Sequence, residues 1–258
     1  TDGNGTLSTD AEISAFLSAG SAIDNVDGTL AVSTDAPATM PLGDTTVSFT
    51  ATDAAGNKST ATAVLTVEDQ TAPEVSVPDA IEVAAVDQNG TPSSDEAVVA
   101  FLDQASATDN VDTAVSVSND APDLLPVGDT TITFTAIDAK GNSGTGSAVL
   151  TVADKTGPVI DAPEQFGFVG TEAGISTTSA EVVDFLASVT ATDNVDGSIA
   201  EISNDAPAVF PFGLSTLTFT ATDSKGNIGT AQTRINVALD IVPPELTVPD
   251  SVTINVSY

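Results

Sequence analysis

The 258-residue sequence contains no cysteine, no histidine and no tryptophan, and only one tyrosine and one methionine. Each absence closes a class of function. Without cysteine there are no disulfides, thiolate nucleophiles or cysteine-bound zinc. Without histidine there is no Ser-His or Cys-His machinery and no imidazole ligand. Basic residues are nearly missing too: Lys and Arg total 5 against 37 Asp and Glu, a formal net charge of −32. Binding nucleic acid needs the opposite sign, so no nucleic-acid partner is expected. No run approaches the roughly 18 apolar residues of a membrane span. Aromatic residues make up only 4% of the chain, which leaves little for stacking on sugars. Carboxylate chemistry such as glycoside hydrolysis is the only enzymatic route left. No segment departs from the repeats described below as a catalytic site would, so the chain is read as not an enzyme.

What is present is apolar enough to fold. Hydrophobic residues make up 41% of the chain, so a core can form despite the acid. The organisation is repetitive. The motif D-N-V-D begins at Asp24, Asp109 and Asp193, and D-A-P follows at Asp35, Asp120 and Asp205. Long related runs then start at Pro41, Pro126 and Pro211. A lone acid followed by proline closes each copy: Asp69 with Pro73, Asp154 with Pro158, Asp240 with Pro244. The period is about 85 residues, which gives three units at 1–69, 70–154 and 155–240, followed by a segment 241–258.

Within a unit the apolar period is mostly two. In T-T-V-S-F-T-A-T, Val47, Phe49 and Ala51 alternate with Thr46, Ser48 and Thr50, the pattern of a half-buried strand. Phe49, Phe134 and Phe219 are the core candidates, one per unit. Short strands separated by Gly, Pro and Asp turns predict an all-β chain of tandem Ig-like antiparallel sandwiches. One stretch per unit has helical spacing instead: Ile13/Phe16/Leu17, Val98/Phe101/Leu102 and Val182/Phe185/Leu186. Capping boxes at Thr9 with Glu12, Ser93 with Glu96 and Thr178 with Glu181 predict a short inserted helix. The opening D-G-N-G at Asp2 looks like an EF-hand loop, but that loop needs glycine at its sixth position and Gly5 sits at the fourth. It reads as a loop leading to the helix.

The run P-x-G-x-[ST]-T-[VIL]-x-[FT]-T-A-x-D-x-x-G-N, present in all three units, resembles the hyalin-repeat (HYR) and bacterial Ig-like modules of surface adhesins. The likeness extends over nearly the whole chain. It implies extracellular, non-enzymatic stalk or adhesion domains with an Ig-like sandwich, often with calcium at domain junctions. The inserted helix departs from the simplest Ig-like pattern. A partner on a cell or biofilm surface is a further expectation of such a family.

Ig-like connectivity places the acidic motifs. D-N-V-D falls between the second and third strands, D-x-x-G-N in the turn before the last strand, and the lone acid just before the next unit. All three meet at a junction. The first junction gathers Asp69, Asp109, Asp112 and Asp138, with Asn142 nearby, and the second gathers Asp154, Asp193, Asp196 and Asp223, with Asn227. Clustered carboxylates repel unless they are protonated or metal-bound. An all-oxygen set without His or Cys selects a hard cation, and Ca2+ is the expected cofactor. Asp, Asn and Gly are also ordinary turn residues, so it is the convergence of three motifs that carries the expectation.

The segment from Pro244 aligns with the first strand of a unit, Pro244 falling on Pro73. Unit one shows no counterpart of that strand, since its Asp2 aligns with Asp87. Leu246, Val248, Val252, Ile254 and Val256 then read as a donor strand for unit one of another copy, a head-to-tail homopolymer built by β-strand addition. A third junction would form from Asp240 of one copy and Asp24, Asp27 and Asp53 of the next. The alternative is a stalk segment of a much longer calcium-binding adhesin.

Overall fold

A computed structural model describes residues 2–247. The donor-strand residues Val248, Val252, Ile254 and Val256 lie outside them. Contacts gather the chain into two compact units: the residues up to Val83 with Thr91–Val152, and Ala84–Gly90 with the residues from Ala153 onward.

The fold is all-β, built of Ig-like repeats with a short helix in each. Every repeat contains one long antiparallel hairpin: Gly43–Thr52 with Lys58–Val67, Gly128–Ile137 with Ser143–Ala153, and Gly213–Thr222 with Ile228–Leu239. The turn between the two strands is the D-x-x-G-N motif. A short strand, Val32–Thr34, Val117–Asn119 or Ile202–Asn204, adds to the first arm of each hairpin. In repeats two and three the last arm gains a fourth strand, Ile81–Ala84 or Gln165–Gly170, the latter running parallel to it. The same chain first pairs on the opposite sheet as Glu74–Ser76 or Val159–Asp161. Pro78 and Pro163 stand between the two halves. Proline has no N–H to give to a ladder, so the strand changes sheet there.

Repeat one differs. Its large sheet has three strands, Val32–Thr34, Gly43–Thr52 and Lys58–Val67, and among the described residues no strand pairs with the outer edge of Lys58–Val67.

Alternation along the hairpins builds the cores. Val47 and Ala51 are buried, as are Ile132, Phe134 and Ala136, and Leu217, Phe219 and Ala221. Phe49 is only half-buried, unlike Phe134 and Phe219. It lies beside the region that the extra strand covers in the other repeats.

The helices are Ala11–Ser18, Glu96–Leu102 and Ala180–Ser188. Each lays one phenylalanine edge-on against the hairpin phenylalanine: Phe16 on Phe49 at 5.8 Å, Phe101 on Phe134 at 6.2 Å, Phe185 on Phe219 at 6.2 Å. The caps fall later than the capping boxes predict. Asp10 and Asp95 cap the first two helices, their Oδ1 atoms accepting from the N–H groups of Glu12 and Ala97. An ionised acceptor at the positive end of a helix outcompetes a neutral hydroxyl. Ser179 begins the third helix without a side-chain cap bond.

Candidate metal centre

Asp69 follows the last strand of repeat one, Asp109 opens the D-N-V-D turn of repeat two, and Asp138 opens its D-x-x-G-N turn. Carboxylate oxygens of all three lie within 4.8 Å of one another. The equivalent set at the next junction is Asp154, Asp196 and Asp223. Three motifs separated in the chain thus come together at each place, without Asp112 in the first set and without Asp193 in the second.

Local hydrogen bonds aim these carboxylates. Asp138 Oδ1 accepts from the N–H groups of Lys140 and Asn142, and its Oδ2 from Asn142 Nδ2 at 2.6 Å. Asn142 Nδ2 also donates to the Asp69 carbonyl at 3.1 Å, tying the turn to the linker. Asp223 and Asn227 repeat this arrangement, with Asn227 Nδ2 donating to the Asp154 carbonyl. Burial pushes the Asp138 and Asp223 carboxyls up, but donors from Asn142 and Asn227 and from the turn N–H groups outweigh it. Both are held below the ordinary carboxylate value. They stay ionised beside other acids.

The remaining oxygens carry the chemistry. Asp69 Oδ1 accepts from Thr71 N–H, and Asp109 Oδ1 from Val111 and Asp112 N–H. Asp69 Oδ2 and Asp109 Oδ2 are buried without any hydrogen-bond donor, and so are Asp154 Oδ2 and Asp193 Oδ2. Asp69 is only 3% exposed and Asp154 7%. A buried, unpartnered carboxyl oxygen is costly, and it recurs at the same atom of the same motif positions in two places. At an effective dielectric of about 20, carboxylates this close repel by about 3 kcal/mol per pair. A hard cation with oxygen ligands satisfies both requirements, so the donor set fits Ca2+.

Asp112 stands outside the first set. Its Oδ2 accepts from Ala139 N–H, bridging the two turns. At the second junction Asp196 joins the set even though its oxygens also accept from Ser224 N–H and Oγ, and Asp193 contributes the buried free oxygen. The sequence reading overlooked the asparagine of D-N-V-D. Asn194 Nδ2 donates to the Ala85 and Val86 carbonyls, and its Oδ1 accepts from the Thr156 hydroxyl. Its occurrence in every copy of the motif was the available signal.

Repeat one presents the same turns without a linker acid. Asp24 Oδ1 accepts from Val26 and Asp27 N–H, Asp27 Oδ2 from Ala54 N–H, and Asp53 from Asn57 N–H and Nδ2. The Asn57 side chain, then its N–H, holds the Asp53 carboxyl low, while the Asp24 charge pushes it up. The Asp27 and Val26 N–H groups hold Asp24 low. Asp240 is exposed, its Oδ1 accepting from Val242 N–H as Asp69 accepts from Thr71. Leu246 is exposed. No helix among the described residues is long and apolar enough to cross a membrane.

Residues 68–152 match the HYR domain family. The chain is 33% identical over 220 residues to Hyalin of Lytechinus variegatus, covering 82% of this chain and 40% of that protein. It is 32% identical over 250 residues to Hyalin of Strongylocentrotus purpuratus, covering 93% of this chain and 20% of that protein. The Sushi, von Willebrand factor type A, EGF and pentraxin domain-containing protein 1 of Mus musculus is 28% identical over 172 residues, covering 65% of this chain and 4% of that protein. The chain thus spans less than half the length of the curated relatives it matches. Its second repeat matches the HYR domain family, its first and third carry the same motifs in register, and the chain is an extracellular or cell-surface tandem-repeat protein similar to the hyalins over most of its length.

Proposed function

We propose that the chain is a non-enzymatic structural segment whose sandwich domains, 1–69, 70–154 and 155–240, are joined by Ca2+ at each linker. The observation that carries this reading is the pair of buried, donor-free carboxylate oxygens at equivalent positions of both junctions. Asp69, Asp109 and Asp138 would hold one ion, and Asp154, Asp193, Asp196 and Asp223 another. A bound Ca2+ supplies positive charge and accepts six to eight oxygens. The chain's own residues do the positioning: the turn N–H groups and the Asn142 and Asn227 amides fix the carboxylates before any ion arrives. A linker acid held together with two turns of the next domain loses its freedom to swivel. Calorimetric titration of chelator-treated protein with Ca2+ tests this, with X-ray scattering as a second readout. Heat of binding with a stiffer scattering profile is expected, and no change in either refutes the proposal.

A second property, self-association, is favoured by a feature of repeat one. A groove of about 920 Å³ runs between the unpaired edge of Lys58–Val67 and the helix, lined by Ile13, Phe16, Val64 and Val67 among others. In repeats two and three the corresponding edge carries a strand. Residues 244–258 have the pattern of that strand, and an inserted copy would satisfy both the backbone edge and the apolar wall. Supplied by a second copy, it makes a head-to-tail filament on the cell surface. Supplied within a longer adhesin, it makes a stalk. Deleting residues 246–258 abolishes association in the filament case. Folded monomers of the 258-residue chain in Ca2+ favour the stalk.

A further inference from the structure

The third repeat departs from the other two along one helix face and the strand beside it. In Ala180–Ser188, Glu181, Asp184, Phe185 and Ser188 follow the i, i+3, i+4, i+7 spacing of one side of a helix. That face stands beside Gln165–Gly170, the edge strand of its sheet. Between them opens a cavity of about 550 Å³ walled by Phe166, Phe168 and Phe185, with Glu181 and Asp184 also in its lining. Ligand sites usually measure about 300–1,000 Å³. The Phe166 ring packs on Phe185 at 4.3 Å and on Phe168 at 5.1 Å, yet Phe166 keeps 39% of its surface exposed.

Three of these positions are peculiar to this repeat. Phe166 stands where repeat two has Ile81, and Gly167, which also lines the cavity, where it has Glu82. Asp184 stands where repeats one and two have Ala15 and Ala100. Two of the three run against local preference. A Cβ on Gly167 would meet only the Asn236 carbonyl, at an ordinary 3.8 Å, and Gly167 has no positive φ. The strand therefore does not require glycine there, and a glycine within a strand marks a place where another group approaches closely. Aspartate is a poorer helix residue than alanine, and Asp184 adds a like charge one turn from Glu181. Glu181 serves the positive end of the helix, but Asp184 lies past the first turn. Both carboxylates are exposed, and neither has a hydrogen-bond donor or an ion pair among the described residues. No lysine or arginine lines the cavity.

We infer that this cavity is a docking site for an arginine side chain of a partner protein. A guanidinium stacks on the open part of the Phe166 ring, and its N–H groups reach the two carboxylates one helical turn apart. The phenylalanine walls take the methylene stem. An anion would meet two like charges here. A purely apolar occupant would cover two carboxylates without pairing them. The chain's own arginine, Arg234, is not among the lining residues, so the cavity is open to a group from outside.

The probe is the capped tripeptide acetyl-Gly-Arg-Gly-amide, titrated into the 258-residue chain at physiological salt in Ca2+ while the phenylalanine ring resonances are followed by NMR. Its citrulline counterpart keeps the shape without the charge. Saturable shifts of the Phe166 and Phe185 rings are expected with arginine, and binding at least about tenfold weaker with citrulline. Asp184→Ala and Phe166→Ile each install the residue of repeat two at an exposed position, so the melting temperatures should match the parent. Binding to each is expected to fall about fivefold. Asp184→Ala removes one charge from a net −32, so a diffuse attraction of cations to the acidic chain would barely change. No saturable shift in the parent, or parent-like binding by both variants, overturns the site. Equal binding of the citrulline peptide overturns the charge pairing, and equal binding of the lysine peptide overturns the guanidinium assignment. Free arginine binding more tightly than the capped peptide overturns the protein partner in favour of a small molecule.

Discussion

Asp69→Asn is the most informative single change. The amide is isosteric and keeps an oxygen that can accept from Thr71 N–H, now at 3.1 Å, so the linker turn should survive. What it removes is one negative charge from a buried set whose oxygens lie within 4.8 Å of one another. Two opposite effects follow. In chelator, losing two carboxylate repulsions of about 3 kcal/mol each, less whatever solvent screening removes, makes the variant at least as stable as the parent. In Ca2+ the parent gains about 2.7 kcal/mol when free ion stands at 100 times its dissociation constant, and the variant gains much less. For a cooperative unit of about 150 residues, that difference is a melting shift of about 5–10 °C. Calorimetric scans of both proteins in chelator and in millimolar Ca2+ give the four values. A variant destabilised equally in both conditions would show that Asp69 is a turn-capping residue and not a ligand, and the calcium proposal would lose its main support at that junction.

Other outcomes follow from the same geometry. Phe134→Ala empties a fully buried site and should cost about 3–5 kcal/mol in urea unfolding, while Phe49→Ala, already half-open, should cost clearly less. Asp95→Ala removes a helix cap and should cost about 1 kcal/mol. Ser179→Ala removes a hydroxyl that caps nothing and is buried without a partner, so it should be neutral or slightly stabilising in the same assay. Asp35 accepts from Ser48 N–H at 2.7 Å, which holds its carboxyl below the ordinary value. The advantage of the parent over Asp35→Asn should therefore be full above about pH 4 and vanish as the pH falls through the lowered value. An advantage that grows in acid would contradict that assignment.

Much of the site was legible because it is repeated. Asp69, Asp109 and Asp138 are far apart in the chain, yet each recurs at one place in the period, and Ig-like connectivity brings those places to one end of a sandwich. Which oxygen is left free was not legible. It depends on which N–H groups each turn spends on Oδ1, and that is set by backbone geometry. Asp193 Oδ1 accepts from the Val195 and Asp196 N–H groups just as Asp109 Oδ1 accepts from Val111 and Asp112, so local hydrogen bonding does not explain why Asp196 rather than Asp193 joins the second clustered set. Caps moved from Thr9 to Asp10 and from Ser93 to Asp95 because a nearby carboxylate outcompetes the hydroxyl for the first N–H groups of the helix.

Composition and periodicity alone determined that the chain is an all-β repeat without imidazole or thiol chemistry, since period-two alternation and missing residue types are properties of a string. Tertiary structure decided where charge becomes intolerable and where a strand has room to enter. The net charge of −32 is unremarkable when spread over a wet surface. It becomes locally costly where folding strips water from Asp69, Asp109, Asp154 and Asp193 while giving their Oδ2 atoms no donor. Likewise Phe16 is an ordinary residue of the helix's apolar stripe in the sequence, and it lines a groove where the described sheet of repeat one has three strands.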